Sequence, residues 1–129
     1  MSAITSNTTC AIGDKHCLPC EGGVPPLDSQ AIQQFRQQIA SYWQLSANQQ
    51  ELFYDFRFKN YYHTMAFVNA IAWMANLENH HPDLEVGYNH CLVRYTTHAI
   101  GGLSENDFIC AAKVDAIFQP YTEKFHDRK

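Results

Sequence analysis

His80 and His81 stand side by side ahead of Pro82, and a third histidine, His98, follows farther along the chain. An imidazole, with an unperturbed pKa of about 6.5, can both give and take a proton near neutrality, so histidines gathered at one pocket suit acid and base work. Adjacent residues on a regular helix do not share a face, but a residue before proline is pushed out of the helical region. A helix arriving at His80 must therefore turn extended at the His80-His81 pair, which lets both rings enter one cleft. Asn76, one turn earlier, could orient a ligand or the His80 ring. The spacing leaves a second chemistry open, because the pair plus His98 could supply the three protein ligands of a catalytic zinc site. His16, His63, His90 and His126 are read as structural or merely exposed.

The elements that must position these rings follow from periodicity. Residues 1–26, rich in Ser, Thr, Gly and Pro, show no helical or strand period and read as an N-terminal arm. Asp28 or Ser29 can cap a first helix over about 29–41 with the stripe Ile32, Phe35 and Ile39. Trp43-Gln44-Leu45 is a short extended piece. From Leu52 to Lys59 the residues alternate, with Leu52, Tyr54, Phe56 and Phe58 on one face. Residues 61–79 hold no Gly or Pro and predict the main core helix, with Phe67, Ala70, Ile71, Met74 and Leu77 inward. Leu84, Val86 and Tyr88 alternate as one strand, Tyr88-Asn89-His90 bends, and Cys91, Val93, Tyr95 and Thr97 alternate as its partner. His98 closes that strand on the opposite face. Gly101-Gly102 breaks the chain, and Ser104 with Asp107 forms a capping box for a last helix through Cys110, Val114 and Phe118 that stops before Pro120. The order α-β-β-α-β-β-α predicts an α+β fold, a four-stranded antiparallel sheet with three helices on one face. A single domain over 27–121 and a tail over 122–129 complete the expected layout.

The chain has 129 residues, enough for one core and too few for two. A formal charge of -4 supplies no electrostatic footprint for nucleic acid. No apolar run spans a bilayer and the start lacks a signal-like pattern, so a soluble, cytoplasmic protein is expected. Five cysteines, three of them crowded at Cys10, Cys17 and Cys20, do not resemble a secreted disulfide framework, and reduced thiols are expected. His16-Cys17-Leu18-Pro19-Cys20 contains one CxxC, two ligands where a closed zinc site needs four. A disordered arm or a redox-sensitive thiol pair is the plainer reading.

Asn79-His80-His81-Pro82-Asp83-Leu84, then Val86 and Tyr88, Thr97-His98-Ala99, and Gly101-Gly102-Leu103-Ser104-Glu105-Asn106-Asp107-Phe108 together resemble the pterin-4a-carbinolamine dehydratase family. The likeness runs from about Cys17 to Phe118 and includes the Cys-x-x-Cys-Glu-Gly-Gly-x-Pro-Pro-Leu opening of bacterial members. It implies the α+β fold above, a metal-free lyase without cofactor, and a homodimer or homotetramer. It also implies that the product returns to a tetrahydrobiopterin pool used by an aromatic amino acid hydroxylase. By resemblance His80 and His98 are the acid and base, and His81 positions the pterin. Pro82, Asn76, Thr97 and Asp107 complete the expected substrate site, Asp107 doubling as a helix cap. The sequence departs from the common pattern at Asn76, where many members carry an acid, and at Asn79, where aspartate is frequent. Two competing readings stand beside this one. Members of the family can act as partners that stabilise transcription-factor dimers, and the three histidines could serve a zinc hydrolase.

Overall fold

A computed structural model describes residues 11–19 and 24–125. Helix α1 covers Ser29–Arg36, β1 Gln44–Leu45, β2 Leu52–Arg57, α2 Tyr61–Glu78, β3 Asp83–Val86, β4 His90–Tyr95 and α3 Glu105–Phe125. The four strands form one antiparallel sheet in the order β1-β2-β4-β3, so the fold is the expected α+β arrangement.

Strand register decides which face meets the helices. Leu52 pairs with Tyr95, Tyr54 with Val93 and Phe56 with Cys91, and since side chains alternate along a strand these six share one face. Five of them are fully buried, with Tyr54 half-buried, and they join Ile32, Trp43, Ile71, Phe108 and Val114 in one core. The opposite face carries the ion pairs Asp55–His90 and Glu85–Arg94.

The caps place the helices. Asp28, rather than Ser29, is the N-cap of α1, its carboxylate accepting the Ala31 N–H at 2.8 Å. The helix ends at Arg36 instead of near 41, because the Ala40 N–H is drawn to the Asp115 carboxylate at 2.9 Å, which also accepts from Trp43 Nε1 at 2.8 Å. In α2 the stripe holds for Phe67, Ile71 and Met74, but Leu77 is exposed. The buried Thr64 hydroxyl instead lies against the Asn60 and Tyr88 carbonyls at 2.9 and 3.0 Å, tying the helix start to the β3–β4 bend.

Helix α3 runs through Pro120 rather than stopping before it. Proline forfeits one backbone hydrogen bond, yet the continuation has somewhere to pack. Tyr121 sits with its ring centroid 5.0 Å from Phe58 and 4.8 Å from Phe125, and its hydroxyl accepts the Lys59 N–H at 2.8 Å. Residues 122–125 are thus helix, not tail. At the other end, residues 11–19 lie on the core although they show no period: Ile12 is 3% exposed, and Lys113 Nζ donates to the Gly13 carbonyl at 2.9 Å. Long-range contacts fix a stretch that has no local signal, and an arm free of the core does not describe it.

Candidate active site

Helix α2 ends at Glu78, just short of the His80 that the proline rule suggested. Asn79 is its C-cap in the left-handed conformation, φ 53° and ψ 39°, and the His80 N–H closes back to the Ala75 carbonyl at 3.2 Å. Asparagine tolerates this region better than most residues. His80 therefore lies beyond the helix, and Asn76 does not share a face with it as the periodic reading supposed.

The left-handed step sends the His80 ring inward, where it stacks on Tyr95 with centroids 6.0 Å apart and planes 8° apart. Its Nε2 is 2.7 Å from Asp107 Oδ1. Asp107 is fully buried, and its other oxygen accepts the Ser104 N–H at 2.9 Å and the Thr97 hydroxyl at 2.8 Å. The Ser104 hydroxyl, 2.7 Å from Thr97 Oγ1, must then donate to it, since the single Thr97 proton is committed to the carboxylate. The capping box expected from Ser104 and Asp107 is half realised: the carboxylate takes the cap N–H, while the serine hydroxyl goes to Thr97. An ionised carboxylate accepts only, so beside it the His80 ring donates from Nε2, which leaves Nδ1 outside that bond.

His98 arrives from the other side. β4 ends at Tyr95, and His98 opens a single 3-10 turn, His98–Ile100, closed by Gly101 at φ 71°. Glycine is also required next door, because a side chain on Gly102 would approach Pro26 Cβ to 2.7 Å. His98 is exposed while Thr97 before it is buried, so the turn separates a residue bonded to Asp107 from one that is open to solvent.

His80, His81 and His98 line one cavity of about 370 Å³ together with Thr97, a size suited to a small bicyclic ligand. Asn76 and Pro82 do not line it; they lie in a neighbouring cleft that meets it at Asn79, His80 and His81. Asp107 sits behind His80, closed off from the cavity, and positions rather than touches. Asn106, Glu78 and the stretch Cys17 to Pro19 also line the cavity, and sequence reasoning missed them. Only the motif-like neighbourhood of Asn106 and Glu78, beside Asp107 and His80, could have signalled two of these.

The other described histidines have local partners. His63 packs on Tyr121 and Phe125, His90 pairs with Asp55 and His16 with Glu78. Among the described residues no three His, Cys, Asp or Glu side chains are grouped to hold a metal ion. Cys17 Sγ lies 3.5 Å from Cys110 Sγ. Cys10, Cys20 and His126 fall outside the described residues, and with Cys20 the CxxC reading.

The family model for pterin 4 alpha carbinolamine dehydratase matches residues 25–117. The chain belongs to that family. Among relatives assigned by name to this family, one from Nitrosomonas eutropha is 59% identical over 84% of this chain and 94% of its own. One from Legionella pneumophila strain Corby is 52% identical over 84% of this chain and 96% of its own. A crystal structure titled transcriptional coactivator/pterin dehydratase, from Brucella melitensis, superposes with a TM-score of 0.67 at 26% identity, covering 71% of this chain and 97% of that one. A pterin dehydratase-like protein described as a RuBisCO assembly factor in the alpha-carboxysome matches with a TM-score of 0.53 at 26% identity, over 60% and 89%. As a pterin-4-alpha-carbinolamine dehydratase the chain is placed among the hydro-lyases. No helix among the described residues is long and apolar enough to cross a membrane.

Proposed function

We propose that this dehydratase removes water from a 4a-hydroxytetrahydropterin by histidine acid–base catalysis. The carrying observation is that His80, His81 and His98 line one cavity, with His80 held from behind by a buried carboxylate. The substrate bears a hydroxyl on C4a beside N5–H. The C4a–O bond breaks as the oxygen takes a proton and leaves as water, while N5 gives its proton to a base and a C4a=N5 bond forms. His80 suits the base: its Nδ1 takes the proton, and Asp107 holds the tautomer and balances the charge the ring acquires. His98, at the rim, serves as the acid for the departing oxygen. His81 holds the ring by hydrogen bonding. Each well-placed transfer contributes about 10²–10⁴-fold. The quinonoid dihydropterin formed would re-enter tetrahydrobiopterin recycling beside an aromatic amino acid hydroxylase.

The test generates the 4a-hydroxypterin in situ and follows its decay with and without the protein, in the presence of a chelator. The protein should accelerate the decay, and a folded His80→Ala/His98→Ala variant should leave the spontaneous rate. Full activity in that double variant ends the assignment, and loss of activity with chelator alone would favour a zinc enzyme.

The fold also leaves Tyr62, Trp73 and Leu77 of α2 exposed with Val86 and Tyr88. That surface supports a homodimer or homotetramer, which sedimentation equilibrium checks. Cys17, Cys91 and Cys110 carry free thiols, which fits a reducing, cytoplasmic setting.

A further inference from the structure

The cavity has a wall that the histidines do not supply. Cys17, Leu18 and Pro19 line it, and all precede residue 25, where the family match begins. Side chains at two helix ends hold this short stretch in place. Glu78, the last residue of α2, accepts the Cys17 N–H through Oε1 at 2.8 Å and meets the His16 ring through Oε2 at 2.9 Å. Asn106, in the first turn of α3, accepts the Leu18 N–H at 3.0 Å and donates its amide to the Leu18 carbonyl at 2.6 Å. Both clamps are shielded, the Glu78 side chain being 6% exposed and Asn106 6%.

The clamps share their supports with the catalytic machinery. Glu78 stands two residues before His80, and Asn106 directly precedes Asp107, so the wall is registered to the elements that orient the His80 ring. Leu18 has both backbone groups tied while its side chain is left 74% exposed beside the cavity. A fixed backbone that presents an uncovered apolar side chain at a small-molecule site is pre-organised for contact, because little ordering entropy is lost when a ligand covers it.

We propose that the segment from His16 to Pro19 is part of the substrate site, with Leu18 as a specificity-determining residue covering the pterin and Glu78 and Asn106 as its positioning residues. The inference rests on the pterin reading above. Leu18 selects for a flat, partly apolar ligand by burying its side chain on it, and Glu78 and Asn106 act through Leu18 rather than on the substrate.

The test measures binding of 7,8-dihydrobiopterin, a stable probe, by equilibrium fluorescence, with KM and kcat on carbinolamine generated in situ. Leu18→Ala should weaken probe binding and raise KM about tenfold, the scale of a few methylene groups left uncovered, with a far smaller effect on kcat. Leu18→Asn, similar in size but polar, should behave like alanine. Glu78→Ala should reproduce the KM effect, and Glu78→Gln, whose amide oxygen still accepts the Cys17 N–H, should restore most of it. Leu18 is exposed, so its variants should keep the parent melting temperature; if Glu78→Ala melts lower, the two Leu18 variants decide alone. Parent-like binding and KM in both Leu18 variants, while the parent binds the probe, overturns the role of the wall and leaves the pterin reading standing. A parent protein that neither binds the probe nor speeds the dehydration overturns both.

Discussion

His80 Nε2 and Asp107 Oδ1 meet at 2.7 Å, and the carboxylate in that contact has no access to solvent. Its remaining oxygen is occupied by Ser104 and Thr97, so the loop leading into α3, the chain just after β4 and the His80 ring are braced by one side chain. Replacing Asp107 with Asn exchanges an obligate acceptor for a group with its own N–H donors, which favours the wrong His80 tautomer. The variant should lose about 10²-fold or more in kcat. Asp107→Ala should also unfold at lower denaturant, by about 1–3 kcal/mol, because buried donors lose their acceptor. Steady-state dehydration kinetics and urea unfolding check the pair; an Asn variant with parent kcat would remove Asp107 from the mechanism.

The left-handed Asn79 is the hinge that delivers His80 to the pocket. Asn79→Gly should be tolerated within a few tenths of a kcal/mol, whereas a β-branched Asn79→Val should cost about 1–2 kcal/mol and lower activity by misplacing the ring. Urea denaturation of the two variants side by side reads the difference. Equal stability would mean that backbone conformation at this position is not under strain.

Tyr95 stacks under His80, yet its buried hydroxyl has no hydrogen-bond partner among the described residues and only the Cys110 thiol beside it. Burial, reinforced by the neighbouring Cys110 and Asp107, drives the phenol well above its ordinary range, so it keeps its proton near neutrality. Tyr95→Phe keeps the ring and removes a desolvated polar group. It should be neutral or more stable by up to about 1 kcal/mol, with kcat unchanged within twofold. A large loss of rate in the phenylalanine variant would show that the hydroxyl does participate.

Glu78 sets an acid limit. Burial raises its carboxyl, but the Cys17 N–H, the His16 ring and Lys113 together outweigh burial and hold it below its ordinary value of 4.5. A carboxylate depressed on folding contributes stability that is complete above about 4.5 and is lost as pH falls through its lower folded value. Asp115 acts in the opposite sense, since burial outweighs the bonds from Tyr42, Ala40 and Trp43 and raises it. The informative quantity is therefore the difference between the parent and Glu78→Gln. That difference should shrink on acidification below 4.5, as measured by melting temperature against pH. A difference independent of pH contradicts the assignment.

The fold class was legible because its signals are local. Alternation from Leu52 to Phe58 and from Cys91 to Tyr95, and the 3.6-residue stripe of Phe67, Ile71 and Met74, each report a buried face without reference to the rest of the chain. The failures share a cause. α1 stops at Arg36 because Asp115, distant in sequence, takes the Ala40 N–H; α3 passes Pro120 because Tyr121 and Phe125 find Phe58 and His63. Local rules cannot see a partner that only folding brings near.

The same division runs through the site. His80, His81 and His98 could be named from residue type, the proline step and the family resemblance, since imidazole chemistry and backbone restriction belong to the residues themselves. That Asp107 backs His80 while Asn76 and Pro82 turn to another cleft, and that residues 17–19 line the pocket, held by Glu78 and Asn106, was decided only in three dimensions. Hydrogen bonds such as Leu18 to Asn106 join groups 88 residues apart, and their existence depends on where the whole core sets two helix ends, not on any pattern along the chain.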